Sequence, residues 1–351
     1  MRIHHFLLLV PVSIGLDLVH ANPLLIFIIT GISIIPVSHY MVDATKVLTR
    51  TWGKNIAGLV NTTMGTIPDI VIGILALSHG LGDFVKASIT GAIMCNLLLG
   101  VGFGTMLAAR RHPKGVTFDV QACHLLSGLM LLATIGLIIP AIFSISTDTD
   151  REISLEISSV LLVTYIASVI FTLKEPGKMS DMPDIDLPVS KEMPGVVKAE
   201  APRALGVLIA SGIVLALMSE ILTHAVEPTA NLLGLTPIFA GIFLLAPIGS
   251  AVEIVSVLRF ADAKQFDLAL AISLGCSAQM ALLAAPLLVL IGEFMGRPMN
   301  LLFSEFQVLA VIIAVVAVNY MLNIGTVRGI SGLKLIAIYI MLGIGFYYQP
   351  A

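Results

Sequence analysis

The stretch from Asn61 to Leu99 constrains the fold most, because the chain writes it twice. The first copy reads G-T-I-P-D-I-V at Gly65–Val71, then D-F-V-K-A-S-I-T-G at Asp83–Gly91. The second reads G-S-A-V-E-I-V at Gly249–Val255, then D-L-A-L-A-I-S-L-G at Asp267–Gly275. An offset of 184 residues (249 − 65) aligns them without a gap and pairs Gly65 with Gly249, Asp69 with Glu253, Asp83 with Asp267 and Gly91 with Gly275. In each copy a carboxylate stands inside an apolar run, four residues after a glycine. An acid in that setting is costly and usually functional.

The setting itself is a membrane. Only 12% of the 351 residues are charged and 57% are hydrophobic, whereas soluble domains carry about 25% charged residues. Mean hydropathy is +1.01. Repeated apolar runs near the length that crosses a bilayer predict an all-α polytopic membrane protein. Charged and Gly/Pro-containing breaks predict eleven spans, near 5–19, 23–41, 56–78, 84–108, 120–143, 153–173, 204–223, 236–261, 267–291, 305–321 and 331–348. The apolar N-terminus lacks a small-x-small cleavage site and is interrupted by Pro11, Gly15 and Asp17, so it reads as a first span rather than a signal peptide.

With the N-terminus in the cytoplasm, only Lys86, Arg151 and Arg297 of the nineteen Lys and Arg fall outside, leaving sixteen inside. That bias predicts a cytoplasmic N-terminus and an external C-terminus. The longest polar stretch, near 174–203, contains Pro176, Pro188, Pro194 and Pro202 with Asp181, Asp184 and Asp186. It reads as a cytoplasmic linker, with its acids solvated or forming a regulatory cation site. The predicted organisation is a leading helix over 1–22, one five-helix repeat over 23–173, and a second over 204–351. A repeat with an odd number of spans enters the membrane inverted the second time, and transporters of this plan bind substrate where the halves meet near midplane.

Thr62, Thr63, Gly65 and Thr66 surround Asp69, and Pro68 precedes it. Proline removes a backbone donor and frees a carbonyl one turn earlier, which predicts a break in the third span. Pro247, Gly249, Ser250 and Glu253 repeat the arrangement in the eighth. Carbonyls, hydroxyls and carboxylates together are hard oxygen ligands for Ca²⁺, Na⁺ or a similar cation. Burial disfavours a charged carboxylate and a bound cation favours it, so two facing acids can hold one divalent ion or take up protons when it leaves. Acids hydrogen-bonded for structure alone are the alternative; their recurrence at equivalent repeat positions weighs against it. The following helices add Ser88, Thr90 and Asn96, then Ser273, Ser277 and Gln279. Hydroxyls often bond back to their own helix, so Asn96 and Gln279 are the stronger ligand candidates. Gly91, Ala92, Gly275 and Ala278 let helices approach closely.

Other chemistries fit less well. The eight histidines are scattered without metal-ligand spacing, and Cys95, Cys123 and Cys276 are an odd count within predicted spans. The glycines near Gly91 follow no strand, which excludes a phosphate loop. The G-L-G-D at Gly80–Asp83 matches a short motif of intramembrane aspartyl proteases, but their other motifs are absent.

These residues carry a resemblance. Leu59–Asp69 (L-V-N-T-T-M-G-T-I-P-D), Val85–Leu99 (V-K-A-S-I-T-G-A-I-M-C-N-L-L-L), Ala246–Ile254 (A-P-I-G-S-A-V-E-I) and Asp267–Gln279 (D-L-A-L-A-I-S-L-G-C-S-A-Q) resemble both repeats of the Ca²⁺/H⁺ exchanger branch of the calcium/cation antiporter superfamily. The later G-x-P-M-x-L-x-F pattern is present at Gly296–Phe303. The resemblance covers nearly the whole chain and implies an eleven-helix, sodium/calcium exchanger-like fold. The chain departs at Asp69, where the family has glutamate, at Thr66 and Ser250, where it has asparagine, and at Ile254, where it has histidine. The Gly-Thr-x-Pro-acid pattern at Gly65–Asp69 leans toward the sodium/calcium exchanger branch.

The expectation is therefore a membrane cation antiporter rather than an enzyme. Asp69 and Glu253 bind the cation; Asn96, Gln279, Thr66 and Ser250 help coordinate it; and Gly65, Pro68 and Gly249 shape the helix breaks. The resemblance implies Ca²⁺ as cargo and protons as counter-ion, with no resident cofactor. Na⁺ or K⁺ exchange for protons, Na⁺/Ca²⁺ exchange, and a transport-inactive scaffold or sensor remain alternatives. Expected partners are the lipid bilayer, the cation and protons, with a homo-oligomer allowed and no nucleic acid. The size and short loops suggest a prokaryotic plasma membrane.

Overall fold

The computed structural model describes residues 7–52, 54–111, 115–143, 150–174 and 194–349. Most of the predicted linker, including Asp181, Asp184 and Asp186, lies outside them. The first half contains α1 (Leu9–Leu18), α2 (Pro23–Trp52), α3 (Lys54–Ser78), α4 (Gly82–Met94) with α5 (Val101–Arg111), α6 (Val120–Phe143) and α7 (Asp150–Lys174). The second contains α8 (Pro194–Leu232), α9 (Pro237–Ala240), α10 (Ala246–Gly249) with α11 (Ala251–Asp262), α12 (Phe266–Gln279) with α13 (Ala285–Phe294), α14 (Glu305–Leu322) and α15 (Gly329–Tyr347). Among the described residues, seven helical spans are long and apolar enough to cross a membrane, or eight if the bent α9–α11 segment is one span. The chain is thus an all-helical integral membrane protein, apart from a two-residue ribbon. In that ribbon β1 (Val116–Thr117) pairs antiparallel with β2 (Thr326–Val327).

Burial separates core helices from lipid-facing ones. The spans Gly82–Arg110 and Phe266–Phe294 are each 72% buried, whereas Asp150–Phe171 and Gly329–Tyr347 are each 17% buried. The two buried spans hold the sequences that follow the repeated acids. Each contains one π-helical segment, Cys95–Gly100 between α4 and α5 and Met280–Ala284 between α12 and α13. With the 184-residue offset, Cys95–Gly100 maps onto 279–284, so the extra residue per turn recurs in both halves. π-Turns inside α-helices often mark functional sites.

Small residues set the core spacing. A Cβ on Gly91 would lie 2.5 Å from the Ala246 Cβ and 2.7 Å from the Ile242 carbonyl oxygen. A Cβ on Gly241 would lie 2.5 Å from the Ala87 Cβ. Without side chains at these points, α4 seats directly on the π-helical segment Gly241–Leu245. Helix association in lipid depends on such close packing because exclusion of water supplies little drive there. α2 and α8 pack along each other beside this centre, and Ile34, Met218 and Leu222 are buried in their shared apolar cluster.

Two features differ from expectation. α3 runs as one helix from Lys54 to Ser78, so Pro68 does not interrupt it. Proline removes one backbone hydrogen bond, and a helix held by packed neighbours can carry that loss. Among the described residues, the break occurs in the second half. Pro237–Gly249 and Ala251–Asp262 are bent by 52° around Ser250, whose φ and ψ are −80° and 10°. There Pro247 and Gly249 stand two residues apart, next to the hinge. The other difference is that α8 begins at Pro194, ahead of the predicted start at 204. Proline is tolerated in the first turn of a helix, where its missing N–H has no partner to lose.

Candidate functional site

α3 carries Gly65, Thr66 and Asp69 into the core, and the α10–α11 hinge carries Gly249, Ser250 and Glu253. The two acids cross over. A Cβ on Gly65 would lie 2.7 Å from Glu253 Oε1, and one on Gly249 would overlap Asp69 Oδ1. Each carboxylate therefore rests against the glycine four residues before the other carboxylate. Asp69 and Glu253 are within electrostatic reach of one another, and only 6% and 2% exposed. The tighter contact is at Asp69, which gives a spatial reason for the shorter acid. An added methylene would have to fit against the Gly249 backbone.

The buried hydrogen bonds sort the remaining candidates. Both carboxylate oxygens of Asp69, Glu253 Oε2, both polar atoms of the Asn96 amide, Ser250 Oγ and Ser273 Oγ have no hydrogen-bond partner. Buried polar groups are rarely left this way, and removing an ionised carboxylate from water without a partner costs several kcal/mol. Ser273 Oγ faces the first π-segment, since a Cβ on Gly100 would lie 2.7 Å from it. Other hydroxyls are engaged. Thr90 donates to the Lys86 carbonyl at 3.0 Å and Ser277 to the Ser273 carbonyl at 2.8 Å. Thr66 Oγ1 donates to Gln279 Oε1 at 3.0 Å, and Gln279 Nε2 lies 3.5 Å from Thr63 Oγ1. Thr66 and Gln279 are thus tied to each other, one from each repeat. Asn96 is buried at the first π-segment, and Gln279 directly precedes the second.

The second matched pair of acids has structural partners. Asp83 pairs with Lys86 at 3.2 Å, and Asp267 accepts the backbone N–H of Asp119 at 2.6 Å. The three cysteines are buried free thiols. Two tyrosines escaped sequence reasoning. Tyr165 on α7 reaches Thr63 and Gln279, and Tyr339 on α15 reaches Cys95. Tyr165 lies fifteen residues into α7 (165 − 150), well away from the helix ends. Membrane tyrosines gather at the water interfaces, so that position was the available signal.

Among the described residues, no three His, Cys, Asp or Glu side chains converge. A cation here would be held by two carboxylates plus neutral oxygens. That is a hard oxygen set, suited to Ca²⁺ rather than to a thiophilic or imidazole-seeking metal.

The sequence matches the family described as "Sodium/calcium exchanger protein" over residues 22–174 and 203–348. The chain belongs to this exchanger family. Among curated relatives, a Ca²⁺/H⁺ antiporter of Aphanothece halophytica is 31% identical over 98% of this chain and 95% of its own length. A Ca²⁺/H⁺ antiporter of Synechocystis sp. (strain ATCC 27184 / PCC 6803 / Kazusa) is 32% identical, covering 93% of this chain and 91% of the relative. Among solved structures, native YfkE superposes with a TM-score of 0.82 at 28% identity, covering 98% of this chain and 100% of YfkE. The family match skips residues 175–202, the segment between the two halves.

Proposed function

We propose that the chain is a secondary-active antiporter that exchanges Ca²⁺ for protons by alternating access. In this reading it crosses a prokaryotic plasma membrane eleven times, as one leading helix and two inverted five-helix repeats, with the N-terminus inside and the C-terminus outside. What supports the proposal is the crossed contact of two buried acids, Glu253 against Gly65 and Asp69 against Gly249, with oxygens on both acids that have no hydrogen-bond partner and with unpartnered polar atoms at Asn96, Ser250 and Ser273. The Ca²⁺/H⁺ antiporter relatives supply the choice of cargo and counter-ion.

The exchange follows from charge. Two ionised carboxylates carry −2, which one Ca²⁺ neutralises and two protons equally abolish. With neither present, two buried charges would face each other without compensation, at a cost of several kcal/mol per ion. The empty, ionised site is therefore the state least able to cross the membrane unoccupied, and movement is coupled to loading. Asn96, Ser250 and Ser273 would add neutral oxygens toward the six to eight that Ca²⁺ takes. Thr66 and Gln279, engaged with each other, would hold the two repeats in register and contribute after a rearrangement.

The test is proton movement in proteoliposomes carrying an internal pH dye. Added Ca²⁺ should drive protons across the membrane without Na⁺. Proton movement with K⁺ or Na⁺ but not Ca²⁺ would replace the cargo. Ca²⁺ uptake that requires a Na⁺ gradient would replace the counter-ion.

A further inference from the structure

A cavity lies apart from the two carboxylates, at the end of the bundle where α5 stops and α15 begins. Met106, Arg110, Arg328, Gly329, Ile330 and Leu333 line about 370 Å³ there. Both arginines are exposed, and neither guanidinium has an ion pair or hydrogen bond among the described residues. Two unpaired guanidiniums on one cavity make a fork-like site for a planar or tetrahedral oxyanion, since each can bind such a group through two donors.

The rest of the wall is apolar and open. Ile330 is 56% and Leu333 49% exposed, on a helix whose outer face is mostly uncovered. The first turn of α15 holds no acidic residue, and its N-cap makes no side-chain hydrogen bond. The N-terminal end of the helix dipole adds positive field at the same point. The cavity is held in place on both sides. The backbone of Gly332 lies against the Gly102 carbonyl and Met106, and the pairing of Val116 with Val327 fixes the residue before Arg328.

We infer that this cavity seats the headgroup phosphate of an anionic phospholipid between Arg110 and Arg328, with an acyl chain running over Ile330 and Leu333. A soluble anion would satisfy the guanidiniums but leave the two aliphatic side chains without a role. A zwitterionic lipid brings its own ammonium to compete for the phosphate. In the proposed eleven-span arrangement, both arginines also lie on the side that collects sixteen of the nineteen Lys and Arg. Basic pockets at that leaflet take anionic headgroups. The inference concerns a lipid site and is independent of which cation the carboxylates carry.

Native mass spectrometry of the full-length, detergent-purified protein tests it by titration with phosphatidylglycerol, phosphatidylcholine and inorganic phosphate. Phosphatidylglycerol should be retained in preference to phosphatidylcholine. Each basic side chain near a charged lipid surface contributes about fivefold, so Arg110→Gln with Arg328→Gln should weaken phosphatidylglycerol about 25-fold. Arg203→Gln, which removes one positive charge from an exposed residue of α8 outside the cavity, should leave it within twofold. If the double variant is not monodisperse, Arg110→Lys with Arg328→Lys takes its place and should weaken binding severalfold by loss of the planar forks. Equal loss with Arg203→Gln, unchanged binding in the double variant, equal retention of phosphatidylcholine, or displacement of lipid by millimolar phosphate would each overturn the inference.

Discussion

Gly65→Ala places a methyl group on the glycine that Glu253 rests against. The new Cβ would lie 2.7 Å from Glu253 Oε1, roughly an ångström inside ordinary contact. The carboxylate cannot swing freely, because it is 2% exposed and enclosed by packed helices. Overpacking of this kind costs about 1–3 kcal/mol. If that cost falls on the loaded state, Ca²⁺ affinity drops by about 5- to 150-fold, since 1.4 kcal/mol is tenfold. Glu253→Asp in the same background retracts the acid by one methylene and should restore part of the loss. The coupling between the substitutions should therefore be about 0.5–3 kcal/mol. The assay is the Ca²⁺ concentration giving half-maximal proton movement in proteoliposomes, measured for both single variants and the double. Gly212→Ala is the control, because a Cβ there meets nothing within 4 Å. A Gly65→Ala protein within twofold of the parent, or effects of Gly65→Ala and Glu253→Asp that simply add, would refute the crossed placement of acids and glycines.

Other outcomes follow from the same contacts. Asn96→Ala removes a buried amide with no partner, so it should raise the half-maximal Ca²⁺ concentration at least tenfold while leaving the thermal midpoint nearly unchanged. Thr66→Val deletes the hydroxyl that donates to Gln279, a net loss of about 1 kcal/mol for a buried hydrogen bond, and should lower the thermal midpoint as well as transport. Gly91→Ala should act through packing instead. It drives a methyl into Ala246 and the Ile242 carbonyl, so the folded yield should fall before Ca²⁺ affinity does. Arg151→Gln breaks an ion pair with Glu293 that has one two-thirds-exposed partner, and should leave the thermal midpoint unchanged.

The gapless offset of 184 residues made the paired acids legible before any coordinates. The repeat also pointed to the helices that follow them, now seen as the two most buried spans. The π-segments were not legible, because one extra residue per turn leaves an apolar sequence pattern almost unaltered. Pro68 misled for a related reason. Local chemistry predicts a lost hydrogen bond, but whether the helix yields depends on the neighbours that hold it. In the second repeat Pro247, Gly249 and Ser250 coincide, and the chain bends. Tyr165 and Tyr339 were missed because they reach the centre from helices remote in sequence. Which hydroxyls stay free and which bond back to their helix, Ser273 against Ser277, is decided by side-chain rotation, on which the sequence is silent.

Ca²⁺-driven proton movement across proteoliposomes containing the parent protein, Asp69→Asn and Glu253→Gln bears most directly on the paired carboxylates. Either substitution keeps the shape of the side chain while removing one of the two charges proposed to hold Ca²⁺ and one of the two groups proposed to take a proton. Both ⁴⁵Ca uptake and proton movement should vanish together in each variant, with folded protein recovered at parental yield. Persistence of coupled exchange in either variant would contradict a site built from these two acids.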